Sequence, residues 1–140
     1  MKKTGEYTTR GSLDSQSTER ITLFDGRFDT GYKVVEFLVV SQDFNDGYGT
    51  LFTDEVGSTN DEWHFEDNSQ IGWSSTNVGT NIAQTQFSVV DPDNLIVEDL
   101  FVRCKVTGGG KMNYFIRLEK YDITDWRGAL AMVRSKSQNV

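Results

Sequence analysis

Two long stretches of the chain alternate between apolar and polar positions. In LIVEDLFVRCKV (95–106), Ile96, Leu100, Val102, Cys104 and Val106 share one parity, while Asp99, Arg103 and Lys105 take the other. In MNYFIRLEKY (112–121), Met112, Tyr114, Ile116 and Leu118 alternate with Asn113, Arg117 and Glu119. Successive side chains leave a strand on opposite sides, so this period of two predicts strands with one buried and one wet face. Shorter runs rich in β-branched and aromatic residues predict further strands at ITLF (21–24), YKVVEFLVV (32–40), YGTLFT (48–53) and TQFSVV (85–90). WHF and QIGWS, on either side of EDNS, read the same way, as does GALAMVRS (128–135) at the end. TDWRG (124–128) fits a short helical turn before that last strand. Turn residues such as NDG and DPDN separate the runs.

No segment holds a helical period, and no repeat recurs at solenoid spacing. Many short strands without helices suggest a sandwich, a jelly roll or a barrel. The fold read from this pattern is all-β: an antiparallel β-sandwich, jelly-roll-like, forming one domain over residues 20–140. Residues 1–19, by contrast, are rich in Ser, Thr, Gly and charge. They hold too little apolar surface to order themselves, which predicts a flexible N-terminal arm that orders only against a partner.

At 140 residues the chain suits a single domain that folds without staples. Its one cysteine, Cys104, excludes an intramolecular disulfide and points weakly to a reducing compartment. Within its alternating strand Cys104 reads as a buried packing thiol. No apolar run approaches the roughly 20 residues that span a bilayer, and the start of the chain does not resemble a secretory signal. The net charge of −7 is uneven. Residues 1–31 hold five basic and five acidic side chains, residues 32–99 hold Lys33 against thirteen acidic ones, and residues 100–140 hold eight basic and three acidic. An acidic middle and a basic end can attract one another within or between subunits. The overall acidity argues against nucleic acid as a partner.

Motifs that would carry chemistry fail on spacing. TGGGK (107–111) suggests a phosphate loop, which needs a glycine five positions before the last glycine and Ser or Thr after the lysine. Those positions are Lys105 and Met112. The segment that follows alternates like a strand, whereas a phosphate loop opens a helix. TGGGK is therefore read as a hairpin connection in which glycine supplies positive φ. DFNDGYG (43–49) resembles a calcium loop but reaches its glycine one position early and lacks the distal glutamate, so it too reads as a hairpin turn. In DEWHFED (61–67), an extended chain would place Glu62, His64 and Glu66 on one face, where a hard cation could sit. The competing reading is a solvated strand edge with Trp63 and Phe65 turned inward. No acidic pair stands out for glycoside hydrolysis and no GxSxG elbow is present. No catalytic residue, cofactor or metal ligand is assigned.

The aromatic residues Trp63, Trp73, Trp126, Tyr7, Tyr32, Tyr48 and Tyr114 could form a sugar-stacking platform or an interface anchor. The residues chosen as an interface are Tyr7, Arg10, Trp126, Arg127 and Arg134, with Trp126 foremost because aromatic and Arg anchors dominate interfaces.

LFDGRFDTGYKVVEFLV (23–39), SVVDPDNLIVEDLFV (88–102) and MNYFIRLEKYDITDWRGALAMVRSKSQNV (112–140) together resemble a group of small, mostly uncharacterised proteins of marine tailed phages. That resemblance implies a virion component, a capsid decoration or cement protein on the capsid surface, assembled in the host cytoplasm. It implies the major capsid protein as partner and a homo-oligomer, a trimer being favoured, with neither nucleic acid nor membrane bound. It transfers no functional residues. The alternative is a receptor- or glycan-binding module of a phage tail or fibre, which the acidic loops and aromatics also suit. An enzyme on a jelly roll is the third reading, and the chain offers no catalytic signature for it.

Overall fold

A computed structural model describes residues 2–23, 26, 29–55, 61–77 and 85–123. Eight strands run through them: β1 (Lys2–Asp14), β2 (Ser17–Thr22), β3 (Thr30–Ser41), β4 (Gly47–Phe52), β5 (Gln70–Asn77), β6 (Thr85–Val90), β7 (Asp99–Val106) and β8 (Lys111–Asp122). There is no helix among the described residues. The strands form a three-stranded sheet, ordered β1-β8-β3, and a five-stranded sheet, ordered β2-β7-β4-β5-β6. All neighbours are antiparallel. The fold is a β-sandwich.

The core lies where the predicted apolar parities meet. Met112, Tyr114, Ile116 and Leu118 of β8 face Leu100, Val102, Cys104 and Val106 of β7, together with Phe37 and Val39 of β3, Leu51 of β4 and Ile71 of β5. Burial pushes the Cys104 thiol up to about 12, which fits a packing role. Gly49 sits tightly between the sheets. A Cβ there would stand 2.8 Å from Val39 Cγ1 and 3.0 Å from Cys104 Sγ, so only glycine fits without displacement.

Residues 2–14, expected as part of a flexible arm, form β1. The strand pairs along β8 from Lys2↔Asp122 to Asp14↔Lys111. The low apolar content was a sound guide to burial, since only Leu13 of β1 is buried. It was a poor guide to order, because backbone hydrogen bonds along an otherwise open edge of β8 need no apolar side chains. The domain therefore includes the segment before residue 20.

The two expected hairpins are corrected as well. Gly108, Gly109 and Gly110 do have positive φ, at 81°, 83° and 102°. Yet β7 and β8 belong to different sheets, so TGGGK is an arch between layers. DFNDG likewise carries the chain from β3 in one sheet to β4 in the other. Alternation tells which face of a strand is buried and is silent on which strand lies beside it. The stretch 95–98, read as the start of a long strand, precedes β7, and Ile96 bridges to Tyr32 in the opposite sheet. The predicted helical turn at 124–128 and strand at 128–135 lie outside the described residues.

Strand β6 pairs with β5, from Gly72↔Val90 to Asn77↔Thr85, and ends the five-stranded sheet. Side chains cover the β3 edge of the other sheet. Ser74 Oγ accepts from Val39 N at 3.1 Å, Thr76 Oγ1 donates to Val39 O at 2.7 Å, and Gln86 Nε2 donates to the same oxygen at 3.2 Å. Ser88 Oγ donates to Phe37 O. Hydroxyls and an amide thus satisfy backbone groups that a ladder strand would otherwise pair.

Candidate functional site on the outer face of the five-stranded sheet

Strand register builds this face. With Leu51 and Val102 turned to the core, Tyr48, Thr50 and Phe52 of β4 point outward. Beside them stand Lys105, Arg103 and Phe101 of β7 on one flank, and Ser75 and Trp73 of β5 on the other. Phe87 and Val89 of β6 continue the rows of Ser75 and Trp73. An outward sheet face in water is usually polar. This one carries five aromatic rings.

The segment 61–69 lies over that face and explains them. Within it WHF (63–65) was expected as a strand, but the segment is a loop with turns. Asp61 Oδ1 accepts from Arg103 Nε at 2.6 Å, and Arg103 Nη1 donates to Thr18 Oγ1 at 3.2 Å. The Arg103 side chain is only 5% exposed and that of Asp61 18%, so this is a largely covered pair on β7. Read from alternation alone, Arg103 belonged to a wet face. Gln70, itself buried, makes three side-chain hydrogen bonds here, two to the loop and one to Trp73 of β5. Its Oε1 accepts from His64 N at 2.7 Å and from Trp73 Nε1 at 3.0 Å, and its Nε2 donates to Glu62 O at 3.0 Å. Asp67 Oδ1 closes the following turn by accepting from Ser69 N at 2.9 Å and Ser69 Oγ at 2.7 Å.

Aromatic contacts complete the seating. Trp63 stands edge-on to Tyr48, with centroids 6.1 Å apart and planes at 88°. It also meets Phe87 at 5.7 Å and 31°. Phe65 packs on Trp73 at 4.5 Å and 62°. Phe65 nevertheless stays 64% exposed, and on the same face Phe87 and Val89 of β6 stay 44% and 43% exposed. The expectation that Trp63 and Phe65 turn into the core is therefore replaced: both lie on the outside of the sheet, Trp63 half-buried and Phe65 exposed.

Tyr48, Asp61, Glu62, Trp63 and Ser75 line a shallow concavity of about 380 Å³. Burial, and next the negative charge of Asp61, holds the Tyr48 phenol above its ordinary range. Glu62, His64 and Glu66 do come together, through the bend of the loop and not through strand alternation. His64 Nε2 lies 3.3 Å from Glu62 Oε2, and Nδ1 lies 3.2 Å from Glu66 Oε1. The imidazole occupies the space between the carboxylates where a cation would have to sit. Among the described residues no cluster of His, Cys, Asp and Glu has the arrangement of a metal site.

The residues chosen from sequence as an interface fall elsewhere. Tyr7 is half-exposed at the end of the three-stranded sheet, edge-on to Tyr32 at 6.3 Å, with Lys120 Nζ over both rings at 5.7 and 5.9 Å. Arg10 is exposed and lies opposite Phe115 in register. Being three positions apart on one strand, Tyr7 and Arg10 point to opposite faces and share no patch. Trp126, Arg127 and Arg134 lie outside the described residues. Sequence reasoning missed Gln70 and Phe87, and it had Asp61 in the acidic cluster and Arg103 on a wet face without joining them. The two lie 42 positions apart in the chain.

Compared with known proteins, the chain matches no family description, no curated protein and no solved structure.

Proposed function

We propose that the protein is a structural accessory subunit of a tailed-phage virion, a decoration or cement protein that binds and stabilises the capsid surface through the major capsid protein. The observation that carries this reading is the exposure of Phe87 and Val89 on β6, with the exposed Phe65 of the loop packed on Trp73, the register partner of Val89. Strand β6 is an edge of its sheet among the described residues. An exposed apolar cluster on a strand edge is a docking surface, because a neighbour both covers the rings and pairs the backbone. The capsid setting comes from the sequence resemblance, and a symmetric oligomer, a trimer being favoured, would repeat the contact many times over a shell.

Cryo-EM of purified virions, with copy number from mass spectrometry, tests the proposal. The expected result is a stoichiometric layer on the shell with β6 against the capsid protein, lost when Phe87→Asp and Val89→Asp are combined. A few copies at a tail or vertex, or none, would overturn it.

A further inference from the structure

We infer that the corner between Tyr48 and Trp63 is a carbohydrate subsite that takes one pyranose ring of a neutral glycan. Two aromatic rings at 88°, with centroids 6.1 Å apart, give a floor and a wall. The C–H groups of a pyranose face seat on such rings, which present partial negative charge on their faces and little demand for hydrogen bonds. Phe87 braces Trp63 at 5.7 Å without lining the concavity. Around the rings stand groups of mixed hydrogen-bonding character: the Tyr48 and Ser75 hydroxyls, which donate and accept, and the Asp61 and Glu62 carboxylates, which accept. Sugar hydroxyls need that mixture. A volume of about 380 Å³ is at the small end for ligand concavities, which fits one ring and not a long chain.

A cation on the two carboxylates is the competing occupant. Charge decides against it. Asp61 is already neutralised by the buried Arg103 at 2.6 Å. Lys105 is next to Tyr48 in register on the same face. The corner thus offers acceptors without the excess negative charge that would select an ammonium group.

The inference does not depend on the capsid reading, and the two fail separately. A ligand of about a dozen non-hydrogen atoms at ordinary efficiency binds in the millimolar range. The probes are methyl glycosides of glucose, galactose, mannose and N-acetylglucosamine, with choline as the cationic comparison, read by saturation-transfer NMR on the full chain. At least one glycoside is expected to bind saturably through its ring C–H groups. Trp63→Ala abolishes that binding, and Glu62→Gln and Tyr48→Phe each weaken it several-fold. Phe44→Ala, exposed outside the concavity, leaves it unchanged. Should Trp63→Ala fail to fold, the two conservative variants decide. Binding of no glycoside, glycoside binding indifferent to Glu62→Gln and Tyr48→Phe in folded protein, or choline in place of sugar would overturn the assignment. Virions that carry Glu62→Gln protein at normal copy number while it has lost glycoside binding would separate this site from shell docking.

Discussion

On the outward face of the three-stranded sheet, Lys3, Glu6, Arg117 and Glu119 pair with one another in water: Lys3 reaches Glu6 at 2.7 Å, and Arg117 reaches Glu6 at 3.0 Å. On the outward face of the five-stranded sheet, Arg103 pairs with Asp61 under a loop and a layer of aromatic rings. The same chemistry, a cation against a carboxylate on a strand, has different consequences in the two places. Exposed pairs exchange contacts with water at little net gain. The covered pair has lost most of its water, so the buried guanidinium depends on its carboxylate. The covered face also carries the aromatic rim that a partner or ligand can use, while the wet face is shaped to remain in solvent.

The most damaging way to disturb this contrast is to break the covered pair. Asp61→Asn is expected to destabilise the fold by about 3 kcal/mol in urea denaturation, because it takes the balancing charge from a buried guanidinium. Replacing both partners, Asp61→Leu with Arg103→Met, is expected to recover most of that loss, since no buried charge then remains. A double variant as unstable as the single one would show that the pair anchors the loop in some further way.

Gln70→Ala removes the amide that ties His64, Glu62 and Trp73 together. Its expected cost is about 2 kcal/mol, from polar groups left without partners. Protease cleavage within 61–69 should rise in parallel. Unchanged cleavage would mean that the aromatic contacts alone hold the loop.

Phe87→Ser touches the rim and not the pair. Its side chain is 44% exposed, so the change in stability should stay below about 1 kcal/mol. The larger readout is association: capsid binding, or self-association seen by light scattering, should fall. Equal association would place the docking surface elsewhere.

The wet face should give the smallest effects. Hydrogen bonds from Lys3, and next from Arg117, hold the Glu6 carboxyl below its ordinary range, and Lys3, followed by Tyr121, does the same for Glu119. A depressed carboxylate contributes above its unfolded value, and the contribution is lost as pH falls through the folded value. Glu6→Gln should therefore leave melting at neutral pH within the scatter of the measurement. It should flatten the acid limb slightly, and the difference should vanish in high salt. A large neutral-pH effect would show that this face is less wet than its exposure implies.

Much of the fold was legible in the sequence. Strand positions at 32–40, 48–53 and 85–90 follow from runs of β-branched and aromatic residues, and the strand at 112–121 and the buried parity of β7 and β8 from period-two patterning, which records local contact with the core. The candidate site was legible only in fragments: Trp63, Tyr48 and the acidic cluster were visible as residue types, but their meeting was not. It depends on Tyr48↔Ser75 and Ser75↔Phe87 register and on a loop crossing the sheet. The order of β1 was hidden too, because an edge strand can be held by its backbone with hardly a buried side chain.

Sequence by itself determined that the chain is all-β, which residues face the core, and that TGGGK is a turn with positive φ. Tertiary structure decided which strands are neighbours, that β6 joins the five-stranded sheet while its side chains cover the β3 edge, and that Arg103 is buried against Asp61. The reason is one of range. Alternation and turn chemistry act over a few residues and are written in the chain, whereas sheet partnership and the loss of water from an ion pair arise between segments that meet only on folding.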